Sequence, residues 1–259
     1  MLDDQCKIRL GGTARSPEHV AFLHGLGLQF AEIAMANPSW FSNVIPEYRD
    51  LKEKLGISYV CHGPREGDPN DLYWLEKEYL PKVLGILPLM TELEMPILTL
   101  HLWLDPRFVK EASITFKIGL LRKIIREASE REIVICLENL SETASHLSAA
   151  FEALPALQLT LDLGHAQLLT EVNTSYGFIE RYPERIRHVH VHDNRGGDSA
   201  LDDLHLVPGQ GIIDFDKILE RLKEMGYDRT MTLELKPPEI ARCLGDVKTM
   251  LLRNKLQAF

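Results

Sequence analysis

Histidine and acidic residues recur at the ends of short apolar runs in this chain. The segments YVCH, LTLH, VICLE, LTLD and MTLE each finish on such a residue. The densest stretch is HVHVHDNRGGDSALDDLH at 188–205, in which three histidines alternate with valine before an acidic loop. Imidazole and carboxylate groups together suit Zn, Mn, Fe or Co better than Mg or Ca. The pattern therefore predicts a site for a divalent transition metal.

Nine residues share this position at, or shortly after, the end of an apolar run. They are His62, His101, Glu138, Asp162, His165, His190, Asp203, His205 and Glu234. The four carboxylates carry a charge of about −4, which a single divalent ion would leave uncompensated in a partly buried pocket. Nine ligands also exceed what one tetrahedral or octahedral ion can use. We therefore expect one to three ions per chain.

The two-residue period of a β-strand predicts where these side chains point. The positions two residues before six of the ligands are small or polar, as expected inside a barrel near its mouth. They are Val60, Thr99, Cys136, Thr160, His188 and Thr232. The intervening positions are apolar and should face surrounding helices. They are Cys61, Leu100, Leu137, Leu161, Val189 and Leu233.

Strand-like runs alternate with amphipathic helical stretches along the whole chain. Eight such runs are predicted, at 6–10, 28–35, 57–62, 97–101, 132–138, 158–162, 186–192 and 230–235, with Gly11 and Gly12 as the exit loop of the first. Eight strand–helix units in 259 residues predict an α/β fold, a (β/α)8 TIM barrel forming one domain over residues 1–259. A doubly wound open sheet is the alternative, but no GxGxxG follows the first strand and the ligands are spread over six strands.

Composition narrows the function classes. The net charge is −9, which disfavours nucleic acid as a partner, although a local basic patch is compatible with it. No apolar run reaches the length of a membrane span, and the N-terminus MLDDQCKIRL lacks a signal-peptide pattern. We expect a cytoplasmic protein with no membrane partner, and a homo-oligomer is compatible with the sequence.

The order of motifs HGP, LTLH, CLEN, LDLGH, HVHDN, DLH, PGQG and LEL resembles the xylose-isomerase-like TIM-barrel superfamily over nearly the whole chain. That group contains sugar-phosphate isomerases and epimerases, and also the endonuclease IV repair enzymes. Similarity to the ketose epimerases implies one Mn-like ion held by Glu138, Asp162, His190 and Glu234. It further implies that the two glutamates act as acid and base and that His165 contacts the substrate. Arg195 stands one residue away from the substrate-binding arginine of that branch.

Similarity to endonuclease IV implies three Zn ions, because all nine ligand positions of that branch are matched. The surrounding segments differ, however: ENLSE, HDNR and VPGQG replace the signatures of that branch. Arg65 stands where an aromatic DNA-contacting residue would be expected. Loop residues that could contact DNA instead are Trp40, Phe41, Arg65, Trp103 and Phe108.

Three hypotheses follow. The favoured one is a metal-dependent isomerase or epimerase of a small sugar, sugar phosphate or polyol, with Glu138 and Glu234 exchanging a proton with the substrate carbon. The residues expected to bind this carbohydrate are His165, Arg195, His192 and Trp103. The alternative is a multi-zinc phosphodiesterase of the endonuclease IV type. A barrel that serves only as a binding module is the third hypothesis, which the complete ligand set disfavours.

Overall fold

The computed structural model describes residues 6–258, and eight parallel strands in it close into a barrel. The strands are β1 (Cys6–Ala14), β2 (Phe30–Ala34), β3 (Ser58–His62), β4 (Ile97–Leu100), β5 (Val134–Glu138), β6 (Gln158–Asp162), β7 (Ile186–Val191) and β8 (Thr230–Leu233). Each strand pairs with the next in sequence, and β1 pairs with both β2 and β8, which closes the ring. The predicted (β/α)8 barrel is therefore confirmed. Residues 1–5 and 259 of the predicted domain lie outside the described residues.

Helices connect the strands and cover the outside of the ring. They are α1 (Pro17–Gly25), α2 (Pro38–Phe41), α3 (Ile45–Leu55), α4 (Leu72–Trp74), a π-helical turn (Leu75–Tyr79), α5 (Leu80–Glu92), α6 (Glu111–Ser129), α7 (Ser148–Ala153), α8 (Ser175–Arg181), α9 (Phe215–Glu224) and α10 (Pro237–Arg253), with short 3-10 turns at His165–Gln167, Pro183–Arg185 and Ala200–Asp202. A last strand, β9 (Leu256–Ala258), pairs in parallel with the start of β1. Local sequence explains several boundaries: proline occupies the first turn of α1, α3 and α10, and Gly56 ends α3 in the left-handed conformation.

The first strand is longer than the sequence predicted. Gly11 and Gly12 are paired residues of β1, so their prediction as an exit loop was wrong. A Cβ atom on Gly11 would overlap the ring of Phe30, and one on Gly12 would overlap Ile240. The two glycines therefore serve close packing within the strand rather than a turn.

The barrel interior changes from apolar to ionisable along its axis. Its lower layer is a small separate cluster of apolar residues, Phe30, Val60, Ile97 and Cys136. In the same interior, the hydroxyls of Thr99 and Thr160 hydrogen-bond at 2.8 Å. The predicted outward-facing residues, such as Leu137 and Val189, belong to the larger core between strands and helices. The predicted alternation is thus confirmed, and it leaves the carboxyl ends of the strands as the polar end of the ring.

Within residues 6–258, no helix combines the length and the apolar character that crossing a bilayer requires.

Candidate metal centre

All nine predicted ligands meet at the carboxyl end of the barrel. Three of the strands end on them: Glu138 ends β5, Asp162 ends β6 and His62 ends β3. His190 pairs with Asp162 across the β6–β7 boundary, which places both side chains on the inner face. The ligand atoms form three groups in which every atom lies within 4.8 Å of the others. The structure thus brings together the nine side chains that the sequence placed at one end of the barrel.

The central group consists of Glu138, Asp162, His190 and Glu234. The Nδ1 atom of His190 lies 3.5 Å from Glu138 Oε2, 3.5 Å from Asp162 Oδ2 and 3.3 Å from Glu234 Oε2. Metal–ligand bonds of about 2.1 Å in a tetrahedron give ligand–ligand distances of about 3.4 Å. The three distances from His190 Nδ1 therefore match the ligand–ligand spacing of a tetrahedral transition-metal site, and all four atoms lie within 4.8 Å of one another.

The second group shares Glu138 with the first. His101 Nε2 lies 3.0 Å from Glu138 Oε2, and His62 Nε2 lies 3.3 Å from the same oxygen. Both imidazoles are half-buried, whereas Glu138 is completely buried. Glu138 therefore connects the two groups through one carboxylate.

The third group lies beyond Asp162 and includes His165, His192, Asp203 and His205. The Nε2 atoms of His165 and His205 lie 3.3 Å and 3.2 Å from Asp203 Oδ2. His192 Nε2 donates instead to Asp162 at 3.1 Å, and its ring stacks on that of His205 at 4.0 Å and 12°. Since stacked rings cannot both aim in-plane lone pairs at one point, we assign His192 to holding Asp162 in place.

Unpaired polar atoms test whether these groups fit a cation. Five predicted ligands each have a buried side-chain atom without a hydrogen-bond partner: His101 Nε2, Glu138 Oε1, His190 Nδ1, Asp203 Oδ1 and Glu234 Oε2. A buried polar atom left without a partner costs free energy, so such atoms in a native structure point to an ion or a water. Here they converge in the three groups, and their N and O chemistry fits a divalent transition metal.

Imidazoles and carboxylates in close contact shift each other's pKa values in this site. Burial alone would raise the pKa of Glu138, but the charges of His101 and His190 hold it well below its usual range. Burial would lower the pKa of His190, but the carboxylates of Glu32, Glu138 and Glu234 raise it well above its usual range. The pKa shifts of Glu138 and His190 are therefore opposite in direction, because each group stabilises the charged form of the other.

Backbone carbonyls fix the tautomers of three imidazoles. The Nδ1–H groups of His62, His165 and His205 donate to the carbonyls of Gly63, Asn139 and Glu234 at 3.1, 3.2 and 3.1 Å. Each ring thus presents Nε2 to its group. His205 also has a left-handed backbone, with φ of +44°, which is rare for a non-glycine residue and is a form of strain found at functional sites.

The loop that carries Asp203 and His205 is held by Asp193. The buried Asp193 carboxylate accepts hydrogen bonds from the backbone N–H groups of Gly209, Gly211 and Ile213 at 2.8, 2.8 and 3.2 Å. A Cβ atom on Gly211 would overlap Asn194 and Asp193, so only glycine fits there. The HDN and PGQG motifs are therefore joined by these hydrogen bonds, which hold the loop between them in place.

Replacing Asp193 by alanine should destabilise the protein by about 2 kcal/mol, because three backbone N–H groups lose a charged acceptor and one of them, that of Ile213, is buried. Urea unfolding in the presence of a chelator measures the change. Asp228→Ala, at an exposed position, is the control. A loss below about 0.5 kcal/mol, as for ordinary surface changes, would contradict the anchoring role.

A cavity of about 1450 Å³ opens over the three groups. His101, His165, Asp203, His205 and Glu234 reach it, whereas Glu138 lies fully buried beneath. Among the residues expected to bind substrate, His165 and Trp103 line the cavity. Arg195 is exposed and His192 is fully buried, and neither is among the described residues that line the cavity.

Trp103 is held rigidly at this mouth. Its backbone N–H donates to Glu66 and its indole N–H donates to Ser141, at 2.7 and 2.8 Å. Its ring stacks on Phe108 with centroids 4.9 Å apart. Arg65 also lines the cavity and Trp40 is exposed, but Phe41 is buried against Tyr48, so the expectation that Phe41 is available to a ligand was wrong.

The sequence interpretation missed Glu32, a fully buried carboxylate within β2. Its two oxygens lie 3.2 and 3.1 Å from Nε2 of His188 and of His190. The sequence clue that could have identified Glu32 is its position as an acidic residue within the apolar run FAEIA.

Cation binding should depend on pH, since protons occupy the same nitrogen atoms. Burial would lower the pKa of His62 and of His205, but Glu138 raises the first to about 9 and Asp203 raises the second to about 9. Below that pKa a cation must displace the proton, so affinity should rise by about tenfold per pH unit for each displaced proton. Competition with a chromophoric chelator between pH 6.5 and 9 measures the slope. An affinity for Zn²⁺ that does not change over this range would contradict the assignment.

Comparisons with known proteins agree on the architecture. The family described as Xylose isomerase-like TIM barrel matches residues 20–245. A D-tagatose 3-epimerase-like protein superposes with a TM-score of 0.80 at 23% identity, covering 95% of this chain and 98% of that protein. The IOLI protein with a bound zinc atom gives a TM-score of 0.73 at 16% identity, covering 95% and 98%.

One curated relative is similar in sequence. The uncharacterized protein MJ1311 of Methanocaldococcus jannaschii is 34% identical over 125 residues, which are 45% of this chain and 41% of that protein. The match thus spans less than half the length of that relative.

Proposed function

The chain belongs to the xylose isomerase-like TIM-barrel family, and from this premise we propose that it is a divalent-metal-dependent isomerase or epimerase of a small sugar, sugar phosphate or polyol. The observation that carries the proposal is the central group: three carboxylates surround His190 Nδ1 at 3.3–3.5 Å on the floor of the cavity. Solved structures of this fold include sugar epimerases, which supports a carbohydrate substrate.

When bound, the metal supplies Lewis-acid polarisation of a carbonyl–hydroxyl pair. Glu138, Asp162, His190 and Glu234 would hold it. Glu234 is the carboxylate of this group that reaches the cavity, and its Oε2 atom has no hydrogen-bond partner. These two features support assigning to Glu234 the transfer of a proton from a substrate carbon.

We assign the second proton-transfer position to Glu138. It is completely buried, but its Oε1 atom has no hydrogen-bond partner and lies 3.0 Å from Nδ1 of His165. His165 lines the cavity, so Glu138 is separated from a bound substrate by one imidazole. His165 would contact the substrate, and the rigid Trp103 ring would offer an apolar face to a sugar.

Solvent exchange at the substrate carbon tests this proposal directly. Protein loaded with Mn²⁺, Co²⁺ or Zn²⁺ is incubated in D₂O with a panel of ketoses and ketose phosphates. We expect deuterium at the carbon whose configuration changes, together with the epimer or the isomer. A metal-loaded protein that neither exchanges nor converts any member of the panel would contradict the proposal.

The second candidate is metal-dependent phosphoester hydrolysis, and a specific observation favours it. An epimerase needs only the central group, whereas His62, His101, Asp203 and His205 build two further groups around it. Metal analysis after metal-replete expression separates the candidates. One ion per chain favours the epimerase, and two or three ions with hydrolysis of a phosphodiester or an abasic duplex favour the hydrolase.

A further inference from the structure

A fourth group of ionisable side chains lies below the central one. Glu32, His188 and His190 are all fully buried, and their facing atoms lie within 4.8 Å of one another. Its facing atoms are paired with one another: His188 Nε2 with Glu32 Oε2 at 3.2 Å, and His190 Nε2 with Glu32 Oε1 at 3.1 Å. None of these four atoms is a buried atom without a hydrogen-bond partner, whereas each of the three groups above contains at least one such atom. It is therefore a hydrogen-bonded support rather than a further ion site.

The chemistry of Glu32 dictates where the protons lie. An ionised carboxylate can only accept hydrogen bonds, so both imidazoles must donate Nε2–H to it. Nδ1 of His188 then faces the hydroxyl of Thr230 at 2.7 Å. Nδ1 of His190 instead has no hydrogen-bond partner and faces Glu138, Asp162 and Glu234.

His190 differs in this respect from three of its neighbours. His62, His165 and His205 are oriented by backbone carbonyls and present Nε2. His190 presents Nδ1, and its Nε2 atom contacts the carboxylate of Glu32. A carboxylate that accepts the other N–H of a ligating imidazole fixes the ring and raises the basicity of the ligand atom.

We propose that Glu32 is a positioning residue for the cation of the central group: by accepting Nε2–H of His190 it presents Nδ1 to that cation and strengthens its binding. This inference rests on the metal dependence in the proposed function, but not on any substrate or reaction. Glu32 would not bind the cation itself; it would act on the cation through its hydrogen bond to His190.

Glu32→Gln is the main test. A glutamine has one acceptor oxygen and one donor NH₂ group, so it cannot accept from both imidazoles, and one ring must change its tautomer or lose its partner. We expect the Zn²⁺ affinity, measured against a chromophoric chelator, to fall by about 10- to 100-fold. Glu32→Asp, which keeps the charge, should recover part of this loss.

Glu142→Gln is the matched control. Glu142 is a buried carboxylate that accepts hydrogen bonds only from backbone N–H groups, those of Leu104, Leu140 and Ser141, among the described residues. Its replacement should leave Zn²⁺ affinity unchanged. Equal affinity of Glu32→Gln and the wild type would overturn the proposal.

A spectroscopic measurement on the unsubstituted protein covers the case in which Glu32→Gln does not fold. In Zn²⁺-loaded protein with ¹⁵N-labelled histidine, His190 should carry its proton on Nε2 and bind through Nδ1. A His190 proton on Nδ1, or a wild type without measurable Zn²⁺ affinity, would overturn the inference. Normal Zn²⁺ binding that depends on Glu32, without sugar conversion, would contradict only the proposed function.

Discussion

Glu234→Gln is expected to lower kcat/KM for the converted sugar by about three orders of magnitude, the range that general acid–base groups contribute. The glutamine keeps the shape of the side chain, but its amide cannot take a proton from carbon. The effect should fall mainly on kcat, because Glu138, Asp162 and His190 remain to hold the cation. Steady-state kinetics with deuterium exchange at the substrate carbon measures it.

Asp246→Asn is the control for this change, since Asp246 lines the same cavity on the exposed face of α10. It should retain wild-type turnover. Glu234→Gln protein that is loaded with metal and still exchanges deuterium at more than about a tenth of the wild-type rate would exclude Glu234 as the base.

Removing the metal should lower the melting temperature by about 10 °C. A ligand present at about 1,000 times its Kd stabilises the folded state by about 4 kcal/mol. In a chain of this size each kcal/mol corresponds to about 2–4 °C. Thermal unfolding of chelator-treated protein, before and after addition of Zn²⁺, measures the difference.

Glu138→Gln should abolish most of this metal-dependent rise. Oε2 of Glu138 lies within 3.5 Å of the facing nitrogens of His62, His101 and His190, so the change weakens two groups at once. Glu142→Gln serves again as a buried control. A Glu138→Gln protein whose melting temperature still rises by the full amount would show that the cation binds elsewhere.

The sequence predicted the barrel, and the end of it at which the candidate ligands lie, because both depend on local periodicity. A side chain at the end of a strand points either into the barrel or out toward the helices. Thr232 lies two residues before Glu234 and therefore on the same face, and its polar side chain indicates that this face is the interior. The meeting place of the nine candidate ligands therefore followed from their positions at strand ends and in the short loops directly after them. Family resemblance added the grouping around Glu138.

Features that depend on contacts between distant segments were not predictable in this way. Glu32 has no partner within its own strand, and its role emerges only when β7 is placed across the barrel. The anchoring by Asp193 requires the loop to fold back over 209–213. The Gly11–Gly12 pair resembled a turn in the sequence. The close contact between Gly11 and the ring of Phe30, which requires glycine within the strand, becomes visible only in the folded barrel.

The position of Glu138 in two groups has a consequence for any binding isotherm. An ion bound to Oε2 of Glu138 would change the electrostatic potential and the side-chain geometry at the neighbouring group. The two groups would then bind ions with a coupling free energy that acts equally in both directions. If more than one ion binds, we expect metal titrations to yield macroscopic constants of coupled sites rather than constants of separate sites.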